Sequence, residues 1–350
     1  MTFHAAMSLQ LNQAMHLQHH QHQPSCQPPD RNLHSPSPKA DLLDLLCTSP
    51  EGTPSKEDWA LDLELMHHFS TVTCNTIAVR PDARYTWQYV LPTEGYSNEY
   101  VMHGLLAMAA MHCSYLYPAQ RDRYSKASAY HQAAGLKEFR DLIASPIDAS
   151  NWQPVFCFAS MITVHVYCSG AVYGVAEKTK WAPFVFSVWI EDEKLPPNLA
   201  TLKHSLLPPD TWTQIDRLRQ FIQDYPFPHS SSTSHSNQYQ DHDRRNDYKS
   251  ALSSLESSIR QIELAGPNIE FGMPILWAYR LSKRFRDDLE AYQPVALILL
   301  GHWCVLLHLV DHYWFVNGAA RQLFEDIEKK IVHTGFQNWL TWPRQWVLER

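Results

Sequence analysis

Apolar residues run almost unbroken from Val101 to Leu116 and again from Val295 to Val310. Neither run leaves a polar face, the pattern of a helix that other helices surround. Elsewhere apolar positions recur at three- and four-residue steps, which line up on one side of a helix. Leu65, Phe69, Val72 and Thr76 make one such side. Ala133, Leu136, Phe139 and Ile143 make another, within a helix from about Asp122 to Ala144 that Pro146 closes. The segment from Asn151 carries Pro154 in its first turn, where a missing N–H costs little. "WAPFVFSVWIEDEKL" predicts a further helix, and "TWTQIDRLRQFIQDY" opens one after Pro208 and Pro209. Helices follow in "YKSALSSLESSIRQIELAG", in "PILWAYRLSKRFRDDLEAY", in the second apolar run started by Pro294, and in "GAARQLFEDIEKKIVHTG" before a Trp-rich tail.

Turn residues punctuate this pattern. Pro92 and Gly95 break the text before the first apolar run, Ser97 is placed to cap it, and Pro118 ends it. No run alternates with the period of a strand, and there are only 11 glycines to make tight turns. The prediction is an all-α protein, a single large helical domain of roughly ten helices over 58–350. Residues 1–57 are different in kind, His/Gln-rich and then Ser/Pro-rich, and read as a disordered segment too poor in apolar surface to offset its ordering entropy. Residues 226–247, "PFPHSSSTSHSNQYQDHDRRND", read as a flexible polar insert.

Composition narrows the function classes. A formal charge of −7 gives no concentrated basic face to neutralise phosphates. Val101–Leu116 falls short of the roughly 20 apolar residues of a membrane span and contains His103 and His112; its counterpart contains His302 and His308. Both are expected to be core helices. No early segment joins a basic flank to an apolar stretch and a cleavage site, so secretion is not expected. The seven cysteines (Cys26, Cys47, Cys74, Cys113, Cys157, Cys168 and Cys304) are scattered without CxxC spacing and read as free thiols.

Catalytic and metal chemistry find little support. His308 and His312 stand at i and i+4 beside Asp311, with His302 further back, but no further ligand is placed to complete a zinc site. The His-rich tract at 16–22 could bind metal weakly, but no role is expected of it, and no metal or cofactor is expected. There is no GxSxG elbow and no Gly-rich phosphate loop, and Glu191, Asp192 and Glu193 form a run typical of a solvated helix end. The chain does not read as an enzyme. "DLLDLL", Asp41–Leu46, offers one amphipathic turn for a partner surface, a pattern short enough to arise by chance.

The order of "DLELMHHFSTVTCNTIAV", "MHGLLAMAAMH", "YHQAAGLKEFR", "NWQPVFCFASMITVHVY", "PVALILLGHWCVLLHLVDHYWFV" and "WLTWP" resembles the C-terminal regulatory domain of fungal zinc-cluster (Zn2Cys6) transcription factors, in the group similar to the sterol uptake control protein. The similarity covers about Leu61 to Val347. Members usually carry an N-terminal module of six cysteines; upstream of Trp59 only Cys26 and Cys47 are found, so direct DNA binding by these residues is not expected.

The resemblance implies a nuclear regulator of a fungal metabolic pathway, sterol or secondary-metabolite, acting through a ligand-responsive helical domain and protein partners. Those partners would be a second copy or a zinc-cluster paralogue in a dimer, and the transcription machinery. An apolar pocket among the central helices is implied, with Met102, Leu106, Phe158, Ile162, Trp303, Leu307 and Trp314 as its candidate lining. The same side chains at helical spacing suit ordinary core. Two other classes stay open: a small-molecule sensor or carrier without a transcriptional role, and a helical enzyme whose acid and base groups would have to converge from separate helices.

Overall fold

Asn98 leaves the helical region (φ −134°, ψ 103°), and Pro118 cannot extend a helix that reaches it. Between them Glu99–Leu116 winds as one helix whose residues from Tyr100 to Ser114 are buried, Met102 and His103 excepted. The computed structural model describes residues 59–143, 147–148, 151–173, 206–227 and 237–349. Every regular element among them is helical. In chain order, with two short 3-10 turns (Pro118–Gln120 and Gln337–Leu340) left aside, they are α1 (Trp59–His68), a π-helical turn (Phe69–Thr73), α2 (Cys74–Ile77), α3 (Pro81–Tyr85), a second π turn (Thr86–Val90), α4 (Leu91–Ser97) and α5 (Glu99–Leu116). Then come α6 (Arg121–Ile143), α7 (Trp152–Tyr173), α8 (Thr211–Asp224), α9 (Asn237–Ala265), α10 (Gly272–Tyr279), α11 (Lys283–Glu290), α12 (Pro294–His308), α13 (Ala319–Ile331) and α14 (Thr341–Val347). The all-α expectation holds. The predicted helix at "WAPFVFSVWIEDEKL" and the segment 1–57 lie outside the described residues.

The helices gather into two compact units rather than around one centre, a division the apolar pattern does not mark. The first holds α1 and α2 and the chain from Pro81 to Val172; the second holds Ala78–Arg80 and the described chain from Leu206 onward. In the first unit α5 and α6 form an antiparallel pair. Tyr100 meets Phe139 near one end, the Ser128 hydroxyl donates to the Ala107 carbonyl in the middle (3.0 Å), and Ser114 meets Ser125 near the other (3.2 Å). Glycine permits this closeness. A Cβ built on Gly104 would stand 2.6 Å from the Met161 Cε, and one on Gly135 would stand 2.8 Å from the Phe158 ring. Phe158 of α7 thus seats against α5 and α6 at once.

Around α12 the second unit repeats the logic with larger side chains. Gln293 is extended and Pro294 occupies the first turn, as its missing N–H favours. Trp303 and Trp277 lie 5.5 Å apart, both fully buried, and each indole N–H finds a backbone carbonyl: Pro274 (2.7 Å) and Ala251 (2.8 Å). Glu270 accepts from the Val79 and Arg80 amides (3.0 and 2.6 Å), while the Tyr313 hydroxyl donates to its other oxygen (3.0 Å).

Five expectations are corrected. Thr73 and Ile77 replace Val72 and Thr76 on the buried side that begins at Leu65 and Phe69, because the π turn at Phe69–Thr73 is wider than an α turn and rotates the following residues. Ser97 ends α4 and caps nothing; Asn98 occupies the boundary, its side-chain amide donating to the Glu94 carbonyl (2.9 Å). Pro92 sits in the first turn of α4, where it is tolerated, so Leu91–Ser97 is helical rather than broken. The segment 226–247 does not stay a loop: α9 starts at Asn237. There Arg244 makes a two-pronged pair with Asp288 (3.1 and 2.6 Å) and Tyr248 donates to the same carboxylate (2.8 Å), contacts that local polarity does not announce. The "PILWAYRLSKRFRDDLEAY" helix is also two helices, α10 and α11, with Ser282 accepting from the Phe285 amide at the break (3.2 Å).

Gly135→Ala should lower stability by about 1–3 kcal/mol, since its new methyl must displace Phe158. Gly272→Ala, with nothing within 4 Å of its Cβ position, should change it little. Denaturant midpoints for the two variants check the difference.

Candidate functional site

The seven candidate residues divide between the units. Met102, Leu106, Phe158 and Ile162 belong to the first, and Trp303, Leu307 and Trp314 to the second. Phe158 and Ile162 are fully buried and Leu106 nearly so, while Met102 is half-buried. The Phe158 ring lies edge-on to Tyr100 (5.5 Å) and near Phe139 (4.9 Å), so α5, α6 and α7 meet there. Met102 lies beside Gly95 of α4, its Cε 3.2 Å from where a Cβ would be. In the second unit Trp303 and Leu307 are buried one turn apart on α12, and Trp314 is half-buried against Phe315 (5.6 Å).

Among the described residues of the first unit, Tyr100 Oη, Gln132 Nε2 and His165 Nδ1 are buried with no hydrogen-bonding partner. They come one each from α5, α6 and α7, the three helices that meet at Phe158. Leaving such an atom unpaired costs about 1–3 kcal/mol. Burial also holds the His165 imidazole down to about 4, so it is neutral and can either donate or accept.

A second polar group, unforeseen in the sequence, lies where α1 meets α5 and α6. Asp62 Oδ1 is 3.1 Å from His131 Nε2, and His131 Nδ1 is 2.9 Å from His103 Nδ1. His103 Nε2 in turn lies 3.8 Å from Glu99. Nearby, His68 Nε2 and the Thr73 hydroxyl both reach His112 Nδ1 (3.3 and 3.0 Å). Glu64 accepts from Arg123 (2.7 Å) and from Tyr124 (2.6 Å), an arrangement that holds the Glu64 carboxyl below its ordinary range. His103 and His112 stand out in the sequence as histidines inside an apolar run. His68 and His131 do not, because their partners sit 44 and 28 residues away.

Among the described residues no group of three or more His, Cys, Asp or Glu side chains is placed to hold a metal ion. α12 ends at His308, so His308 and His312 do not share a helix face, and Asp311 instead accepts from the Gly318 amide (2.8 Å). Cys74, Cys113, Cys157, Cys168 and Cys304 are buried and free, and burial pushes the Cys113 and Cys157 thiols up to about 12. No single helix among the described residues is long and apolar enough to cross a membrane.

Acid should weaken this protein in a defined window. Burial holds His112, His165 and His302 near 4 against an ordinary 6.5, so charging each in place costs on the order of 3 kcal/mol. The folded state binds these protons less readily than the unfolded chain. Stability should therefore be full above about pH 6.5 and fall steadily as pH drops toward 4. Denaturant titrations at intervals across that range measure the slope.

Comparison with known proteins agrees with the resemblance read from the sequence. Residues 64–177 match the family described as fungal specific transcription factor domain. A curated relative, a Zn(2)-C6 fungal-type transcription factor of Gibberella zeae, is 22% identical over 325 residues, covering 81% of this chain. The chain spans 61% of that relative's length. No solved structure matches it. Over residues 64–177 the chain is similar to the fungal specific transcription factor domain, and it resembles the regulatory domain of zinc-cluster transcription factors.

Proposed function

We propose that this protein is a transcriptional regulator whose first unit senses an apolar metabolite. The observation that carries the regulatory reading is the coincidence of the matched family segment, 64–177, with the unit built from α1 to α7. The 350 residues contain no six-cysteine zinc-cluster spacing. Contact with DNA then comes from a partner, such as a zinc-cluster paralogue, or from sequence beyond these residues. The protein acts in the nucleus through protein contacts, and it is not an enzyme.

Support for ligand response comes from the centre of the first unit. Met102, Leu106, Phe158 and Ile162 supply apolar surface from helices that also carry Tyr100 Oη, Gln132 Nε2 and His165 Nδ1 unpaired. A sterol- or terpenoid-like molecule with one or two hydroxyl groups matches that mixture. Binding it would require α5 and α7 to part around Gly104, which couples occupancy to the shape of the unit. Trp303, Leu307 and Trp314 of the second unit are assigned to core packing.

Thermal unfolding with a panel of hydroxylated and fully apolar sterols and terpenoids tests the ligand half. A hydroxylated ligand at about a hundredfold excess over its Kd should add about 2.7 kcal/mol and raise Tm by several degrees. A uniformly null panel would remove the ligand. Fusion of the chain to an unrelated DNA-binding module, with a reporter gene, tests the regulatory half. A silent reporter together with a tight ligand would make the protein a sensor or carrier instead.

A further inference from the structure

Helix α1 is held in an unusual way. Of its ten residues only Leu65 is buried, while Trp59 and Leu63 are 66% and 59% exposed. Its grip on α5 and α6 comes instead from polar side chains. Asp62 reaches His131, Glu64 reaches Arg123 and Tyr124, and His68 reaches His112. Two of those three anchors run through a contact between histidine rings.

A contact between two ring nitrogens works only if one of them keeps its lone pair. Across His131 and His103 the facing atoms are both Nδ1. With one extra proton shared between the rings the chain of bonds is complete: Asp62 accepts from His131 Nε2–H, His131 Nδ1–H donates to His103 Nδ1, and His103 Nε2–H faces Glu99. A second proton puts an N–H on both sides of a 2.9 Å gap and drives the rings apart. At the other anchor His112 Nδ1 accepts from His68 Nε2–H and from the Thr73 hydroxyl together. A proton on that atom abolishes both bonds.

We propose that these paired histidines form an acid-released latch that holds α1 on the α5–α6 pair. The charged and titratable groups facing the first contact are Asp62 from α1, Glu99 from α5 and Tyr130 from α6, whose ring stacks edge-on against both histidines. Facing the second are Glu64 and His67 from α1, with Glu64 already engaged by Arg123 and Tyr124. The carboxylates favour the first proton, and geometry refuses the second. Burial adds to this by holding His103 and His68 below the ordinary histidine range. Release in acid frees α1 while the remainder of the unit, packed through Phe158 and the α5–α6 contacts, stays folded. The device is independent of any ligand at the centre of the unit.

Hydrogen exchange of the full chain, corrected for intrinsic rates and followed from about pH 7 to about pH 5, tests it. Amides of α1 should lose protection about tenfold more than those of α13, which contains no histidine. The double variant His68→Gln, His103→Gln should erase that difference, because a glutamine amide can donate or accept at the same place. Parallel loss in α1 and α13 of the wild-type chain would mean general acid unfolding and would overturn the latch without any variant. Undiminished acid sensitivity of α1 in the double variant would overturn it as well.

Discussion

The constraint on which the first unit rests is that α5 has no face to give to water. A helix of that composition is stable only if neighbours cover it on every side, and they must come close enough to exclude solvent. Gly104 and the alanines at 107, 109 and 110 thin α5, and Gly135 thins α6 opposite. Phe158 and Met161 of α7 then fill the space that side chains on those glycines would have taken. α12 meets the same demand differently. Its own Trp303 packs against Trp277 of α10, large ring on large ring, and each ring's single polar atom is spent on a backbone carbonyl. One solution is close approach of backbones, the other bulk.

Covering apolar helices so completely leaves the polar groups on them in a demanding place. His165 on α7 and His302 on α12 are deeply buried and therefore neutral. His302 is fully accommodated: its Nδ1–H donates to the Ile298 carbonyl (2.8 Å) and its ring stacks on Trp342 (5.5 Å). His165 has no such arrangement at Nδ1. Two histidines on equivalent central helices thus differ in kind, one serving the fold and the other costing it. That contrast gives the first unit its functional interest, and it agrees with the position of the family match.

Much of the architecture was legible because helix-making signals are local. The apolar runs, Pro118, Pro154 and Pro294 each act within a turn or two, and the helices they predict are present. What escaped is what depends on partners far away in the chain. The division into two units follows from which helices pack together, and α5 and α12 look alike as text. The start of α9 among polar residues depends on Asp288, 44 positions beyond Arg244. Of the candidate site, the apolar residues were readable as buried but not as belonging to separate units. The histidine contacts on α1 were unreadable, since no spacing rule links His68 to His112 or His103 to His131.

The π turns at Phe69–Thr73 and Thr86–Val90 bear on how kinship to this protein is judged. Each accommodates one residue more than an α turn would, so the chain on either side is out of step by a single position. A relative that lacks the extra residue has the same helices and the same buried faces, yet its letters fall against the wrong neighbours unless a one-residue gap is opened inside a helix. Alignment methods resist gaps there. For such a relative, percentage identity understates kinship through the first unit, which is better counted by buried positions than by matched letters.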